Sequence, residues 1–93
     1  MLKIYATLNN AILSDGKRTT AIRYDAEYLQ KYSAAMLLYN WTRERVLHEL
    51  RSDLALKIQW KYKNESESEI ENALDIIMPY ASANIHDPRK ERE

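Results

Sequence analysis

The chain has 93 residues, 45% hydrophobic and 30% charged, with 14 Lys and Arg against 14 Asp and Glu. This size and mixture fit one soluble globular domain. The absence of Cys excludes disulfides and thiol chemistry, and zero net charge argues against a general nucleic-acid binder.

The opening residues Met1-Leu-Lys-Ile-Tyr-Ala-Thr-Leu8 lack a signal-peptide layout. No apolar run approaches the roughly 18 residues needed to cross a membrane. A cytoplasmic location without membrane contact is therefore expected. Leu2, Ile4, Ala6 and Leu8 alternate with Lys3, Tyr5 and Thr7, which predicts a strand. Asn9-Asn10 signals a turn, and Asp15-Gly16 favours a tight turn with positive φ. Residues 1–16 read as an N-terminal strand or hairpin. A second alternation, Thr20, Ile22 and Tyr24 against Thr19, Ala21 and Arg23, predicts a further strand.

Asp25 is a suitable N-cap, with Glu27 in the first turn of the helix it would open. Tyr28, Leu29, Tyr32, Ala35, Met36 and Tyr39 share one face of that helix. Asn40 tolerates the left-handed conformation that ends a helix, and Thr42 caps the next. Val46, Leu47, Leu50 and Leu54 make the apolar stripe of this second helix. After Leu54 two patterns overlap. Leu56, Ile58, Trp60 and Tyr62 alternate with polar residues and favour a strand, which is the preferred reading. Leu50, Leu54 and Ile58 equally suit a helix that continues. Asn64 to Glu69 offers overlapping N-caps for a last helix with Ile70, Ala73, Leu74 and Ile77 on one face, with Pro79 ending it or following its last turn. Residues 81–93 read as a polar, frayed tail.

Charge is uneven along the chain. Residues 16–51 hold seven Lys and Arg against four Asp and Glu, and residues 52–93 hold six against nine. A basic half beside an acidic half is compatible with DNA contact by the first. Phe is absent, whereas Tyr numbers seven and Trp two. Side chains of that kind are enriched at interfaces.

The stretch Thr19-Thr-Ala-Ile-Arg-Tyr24, then Asp25, Asn40 and Thr42-Arg-Glu-Arg-Val-Leu47, resembles the ribbon-helix-helix (Arc/MetJ/CopG-like) family of DNA-binding proteins over about a third of the chain. The resemblance implies an α+β fold with a strand-helix-helix core over residues 17–55. The core would be an intertwined homodimer, carrying an N-terminal strand or hairpin and a C-terminal strand and helix over 56–80. It also implies a repressor of transcription whose paired strands enter the major groove of double-stranded DNA. On that pattern Thr19, Ala21 and Arg23 contact bases, with Arg23 suited to guanine. Lys17, Arg18, Thr42 and Arg43 contact phosphates. Ile22, Tyr24, Leu29, Tyr32, Met36, Val46, Leu47 and Leu50 form the dimer core. The chain departs from the family pattern at Thr20, Leu50 and Arg51, and at least sixteen residues precede the strand.

A second reading is a small α+β module that binds another protein, such as a viral or mobile-element inhibitor of a host factor. Its surfaces would be Trp41, Trp60, Tyr62 and the Ile70–Ile77 face of the C-terminal helix. It is favoured if residues 2–8, 11–14 and 17–24 form a three-stranded meander within one subunit. No enzyme is expected, since no convergent catalytic set is present. No cofactor or metal is expected either. His48 and His86 each lack a second ligand at metal spacing, and Glu65, Glu67, Glu69 and Glu71 splay around a helix axis.

Overall fold

The computed structural model describes residues 1–90. The chain is an α+β fold: β1 (Lys3–Ala6), β2 (Asn10–Ser14), β3 (Thr19–Arg23), α1 (Gln30–Leu38), α2 (Arg43–Lys61) and α3 (Glu67–Ala83). The strands form one antiparallel meander in the order β1-β2-β3. Ile4 lies opposite Leu13 and Leu13 opposite Thr20, while Tyr5, Ile12 and Ala21 align on the other face.

Alternation sets which face is covered. Ala11, Leu13, Thr20 and Ile22 point into the core against the helices, and Tyr5, Ile12, Thr19, Ala21 and Arg23 are exposed. Tyr24 is fully buried and its hydroxyl donates to the carbonyls of Thr7 and Asn10, both at 2.7 Å. Burial pushes its pKa up.

The β2–β3 turn is built as its residues require. Gly16 has φ +91, and the Asp15 carboxylate accepts from the backbone N–H groups of Lys17 (2.9 Å) and Arg18 (2.7 Å). The Arg18 and Lys17 N–H groups hold the Asp15 carboxyl below its ordinary 3.8. A folded-state pKa lowered in this way adds stability above pH 3.8, which is lost as pH falls through the folded value. A carboxyl NMR titration should place the Asp15 midpoint below 3.8, and an ordinary midpoint would refute the turn geometry.

The helices share one core with the inner face of the sheet, and four of the sequence expectations change here. First, α1 begins at Gln30 with Leu29 as its cap residue, not at Asp25. The Asp25 carboxylate is engaged by the Arg23 guanidinium, and residues 26–29 form only a turn. Second, residues 56–61 continue α2 as helix and do not form a strand. Leu50, Leu54, Ile58 and Tyr62 recur every four residues and are all buried, whereas Leu56 and Trp60 point outward at 63% and 74% exposure. Third, α3 runs through Pro79 to Ala83. Pro79 leaves the Asp75 carbonyl without its helical donor, but both residues are exposed and water can serve. Fourth, the segment after Pro79 is packed, with Ala81 and Ile85 buried. Of the expected tail, residues 91–93 lie outside the described residues.

The breaks between helices follow local chemistry. Asn40 adopts φ +56, and the Thr42 hydroxyl accepts from the Arg45 N–H at 3.2 Å. Ser66 caps α3 in the same manner through the Glu69 N–H. Long-range hydrogen bonds then lock sheet to helices. The Tyr62 hydroxyl donates to Leu13 O (3.0 Å), and the Asn84 amide donates to Leu8 O (2.6 Å) and Tyr24 O (2.9 Å).

The ribbon-helix-helix expectation of an intertwined core meets a different arrangement. Ile22, Tyr24, Leu29, Tyr32, Met36, Val46 and Leu50 are buried, and Leu47 half-buried, within one chain. Within this one chain, β1, β2 and α3 supply cover for these side chains.

Candidate functional site

The outward row of β3 holds Thr19, Ala21 and Arg23, the three residues expected to meet bases. β3 is an edge strand. Tyr24 N–H bonds Asn9 O and Asp15 N–H bonds Arg18 O, so alternation turns the backbone of Thr19, Ala21 and Arg23 toward the open edge. Arg23 is not a free fork. Its guanidinium donates to both oxygens of Asp25, lies 3.9 Å from Glu27, and sits 5.6 Å from the Tyr28 ring centre. The Asp25 hydrogen bond and charge raise the Arg23 pKa and lower that of Asp25.

The four expected phosphate contacts divide between two ends of the molecule. Thr42 and Arg43 open α2, whereas Lys17 and Arg18 stand beside its last turn, about 27 Å away for a helix of this length. Arg43 is already occupied, donating to the carbonyls of Ile85 (3.0 Å) and Ser82 (2.9 Å). It therefore caps the C-terminal end of α3.

At the Lys17 end, the β2–β3 turn faces the last turn of α2 across an open cleft of about 620 Å³. Lys17, Arg18, Lys61 and Lys63 line it together with Trp60. Arg18 donates to the Lys61 carbonyl at 3.0 Å, and the Lys63 ammonium sits 4.7 Å from the Trp60 ring centre. Sequence reasoning missed Lys61 and Lys63 because they fall in the acidic half of the chain. Only folding brings them to residues more than forty positions earlier.

At the other end, the junction of α1 and α2 is apolar. Leu38 and Tyr39 are 71% and 70% exposed, and Leu37 is also exposed. The Tyr39 and Trp41 rings lie 6.2 Å apart at 41°, and the Arg45 guanidinium covers Trp41 at 4.3 Å. Arg89 reaches the Asn40 side chain at 2.9 Å and braces this corner. Beside it, a hollow of about 260 Å³ is floored by Tyr32, whose hydroxyl donates to the Asp53 carboxylate. Burial, with that bond and its charge, pushes the Tyr32 pKa up. Leu37 and Leu38 were the available sequence signal, as two Leu off the helical stripe that covers the core.

The surfaces expected for a protein partner change accordingly. Trp60 is exposed and Trp41 half-buried, but Tyr62 and the Ile70, Ala73, Leu74 and Ile77 face of α3 are core. That face is consumed in packing against the rest of the chain and is not open to a partner. Among the described residues, no group of three or more His, Asp and Glu is placed to hold a metal. No described helix is long and apolar enough to cross a membrane. In comparison with known proteins, the chain matches no family model, and no curated protein or solved structure is significantly similar to it.

Proposed function

We propose that this chain is a protein-binding module that docks its partner at the α1–α2 corner formed by Leu37, Leu38, Tyr39, Trp41 and Arg45. One observation carries the reading. Leu38 and Tyr39 are 71% and 70% exposed, and Tyr39 pairs with Trp41, whose ring Arg45 covers. Trp, Tyr and Arg dominate binding hot spots, and covering an exposed Leu or Tyr contributes about 1.5–3 kcal/mol. Zero net charge and the engagement of Arg23 and Arg43 by their own chain favour this over duplex recognition.

The test is affinity capture with wild type and with Leu38→Ser/Tyr39→Ser as bait, read by quantitative mass spectrometry and light scattering. The variant should fold with a stability loss of no more than about 1 kcal/mol, since both side chains are exposed. A near-stoichiometric protein held by wild type should be lost from the variant. Recovery of the same protein by both baits would sink the proposal. A fall in self-association mass would identify the partner as a second copy.

A second reading, a homodimeric DNA-binding regulator, draws on the outward row of Thr19, Ala21 and Arg23 and on the open edge of β3. Pairing of two β3 edges would give a six-stranded sheet about 24 Å across, against a major groove about 12 Å wide. The ribbon would therefore have to contact DNA without entering the groove between its own flanking strands. Steeply salt-dependent duplex binding whose sequence preference is lost in Arg23→Ala would restore this reading over the first.

A further inference from the structure

We propose that the cleft between the β2–β3 turn and the end of α2 binds single-stranded nucleic acid, with Trp60 stacking on a base and Lys17, Lys61 and Lys63 meeting phosphates. Three features of the cleft support this occupant. The first is charge. Four cationic side chains line the cleft, and Lys3 begins β1 at the same end of the sheet, opposite Ser14 of β2. The two carboxylates there, Asp15 and Glu65, leave the lining with an excess of positive charge. Asp15 accepts the N–H groups of its own turn, and Glu65 pairs with the Met1 amine at 3.2 Å. Arg18 donates to a carbonyl at the negative end of α2 and Lys61 lies in that last turn, so the helix end accounts for these two but not for Lys17 or Lys63.

The second feature is Trp60. It is 74% exposed on the last turn of a continuous helix, whereas Tyr62, two residues on, is taken into the core. The Lys63 ammonium rests over its ring. A base stacking there displaces the ammonium toward the phosphate of the same nucleotide, so one movement completes both contacts. The third is size. About 620 Å³ falls in the range of roughly 300–1,000 Å³ typical of small-ligand sites, enough for one or two nucleotides but not for a duplex. Bases in a duplex are moreover already stacked on each other, leaving no free face for the indole.

This site lies at the opposite end of α2 from the protein-docking corner, so its failure leaves that proposal standing. The test uses the full chain carrying Trp41→Phe, in which Trp60 is the sole indole. The probe is an oligothymidylate about ten nucleotides long, compared with a duplex of equal length and with polyglutamate of matched charge. Oligothymidylate should quench Trp60 fluorescence, and log K should fall against log salt with a slope of about −2 to −3, from about −0.7 per phosphate at three or four cations. Trp60→Ala should weaken binding, read by anisotropy of labelled probe, by about 5- to 150-fold. Lys17→Glu/Lys63→Glu should abolish the salt dependence. Absence of binding at about 20 mM salt, where screening is weak, would overturn the proposal. So would duplex binding as tight as single strand, or equal quenching by polyglutamate, which would assign the cleft to an acidic peptide.

Discussion

Ile22→Asp should unfold this protein at every protein concentration, and the wild-type melting midpoint should not move when the sample is diluted. Ile22 is buried on the inner face of β3 opposite Ala11, so no cation stands across the sheet to pair with the new carboxylate. The substitution removes about 1.5–3 kcal/mol of apolar burial. An unpaired buried charge costs about 3–5 kcal/mol more. A chain of this length is stabilised by only about 5–14 kcal/mol, so a large share of the total disappears. Thermal melts by circular dichroism at two concentrations differing about tenfold, with light scattering, measure both outcomes. An intertwined dimer would behave differently, since its wild-type midpoint would rise with concentration. That result would reinstate the strand-swapped core.

Ala55→Pro should be nearly as damaging, because residue 55 lies in the middle of a single 19-residue helix. Proline there removes the hydrogen bond to the Arg51 carbonyl and drives its ring against that group, costing about 3 kcal/mol or more. Arg51 is also the bridge to α3, donating to Glu71 (2.6 Å) and Asp75 (3.1 Å), so a kink at this turn misplaces both contacts. Beyond the kink lie Ile58 and Tyr62, which hold the far end of α2 against the sheet. At about 4–8 °C per kcal/mol, the melting temperature should fall by at least roughly 12 °C. Were residues 56–62 a separate strand, a proline at position 55 would sit in a connection and be tolerated. An unchanged melt with unchanged helical ellipticity would support that arrangement.

The two substitutions address two of the places where sequence and structure part company. Both concern the same ambiguity, a pattern that fits more than one partner. Leu56, Ile58, Trp60 and Tyr62 satisfy a two-residue period, and Leu50, Leu54, Ile58 and Tyr62 satisfy a helical one. The helix prevails because it buries Ile58 and Tyr62 and lets the Tyr62 hydroxyl reach two carbonyls of the β2–β3 hairpin. Asp25 is a parallel case. Its side chain could cap a helix or pair with a cation, and Arg23 two residues earlier takes it. The candidate surfaces were legible only in pieces. Lys17 and Arg18 are visible as a basic pair, but their company with Lys61, Lys63 and Trp60 is not. Trp41 is visible as an aromatic, but not that Leu38 and Tyr39 stand clear of the core beside it.

The amino-acid sequence by itself determined the features whose energetics close within a few residues. These are the Asp15-Gly16 turn, the alternation that sends Ile22 inward and Thr19, Ala21 and Arg23 outward, the left-handed break at Asn40, and the Thr42 cap. Each follows from local sterics or from a hydrogen bond spanning two or three positions. Tertiary structure alone decided that β3 pairs with β2 of its own chain, that α3 takes the cover a second copy was expected to give, and that two arms of the chain meet to make a cationic cleft. Strand edges and apolar faces carry no address. Which surface covers them depends on chain closure and total burial, and those are properties of the whole fold.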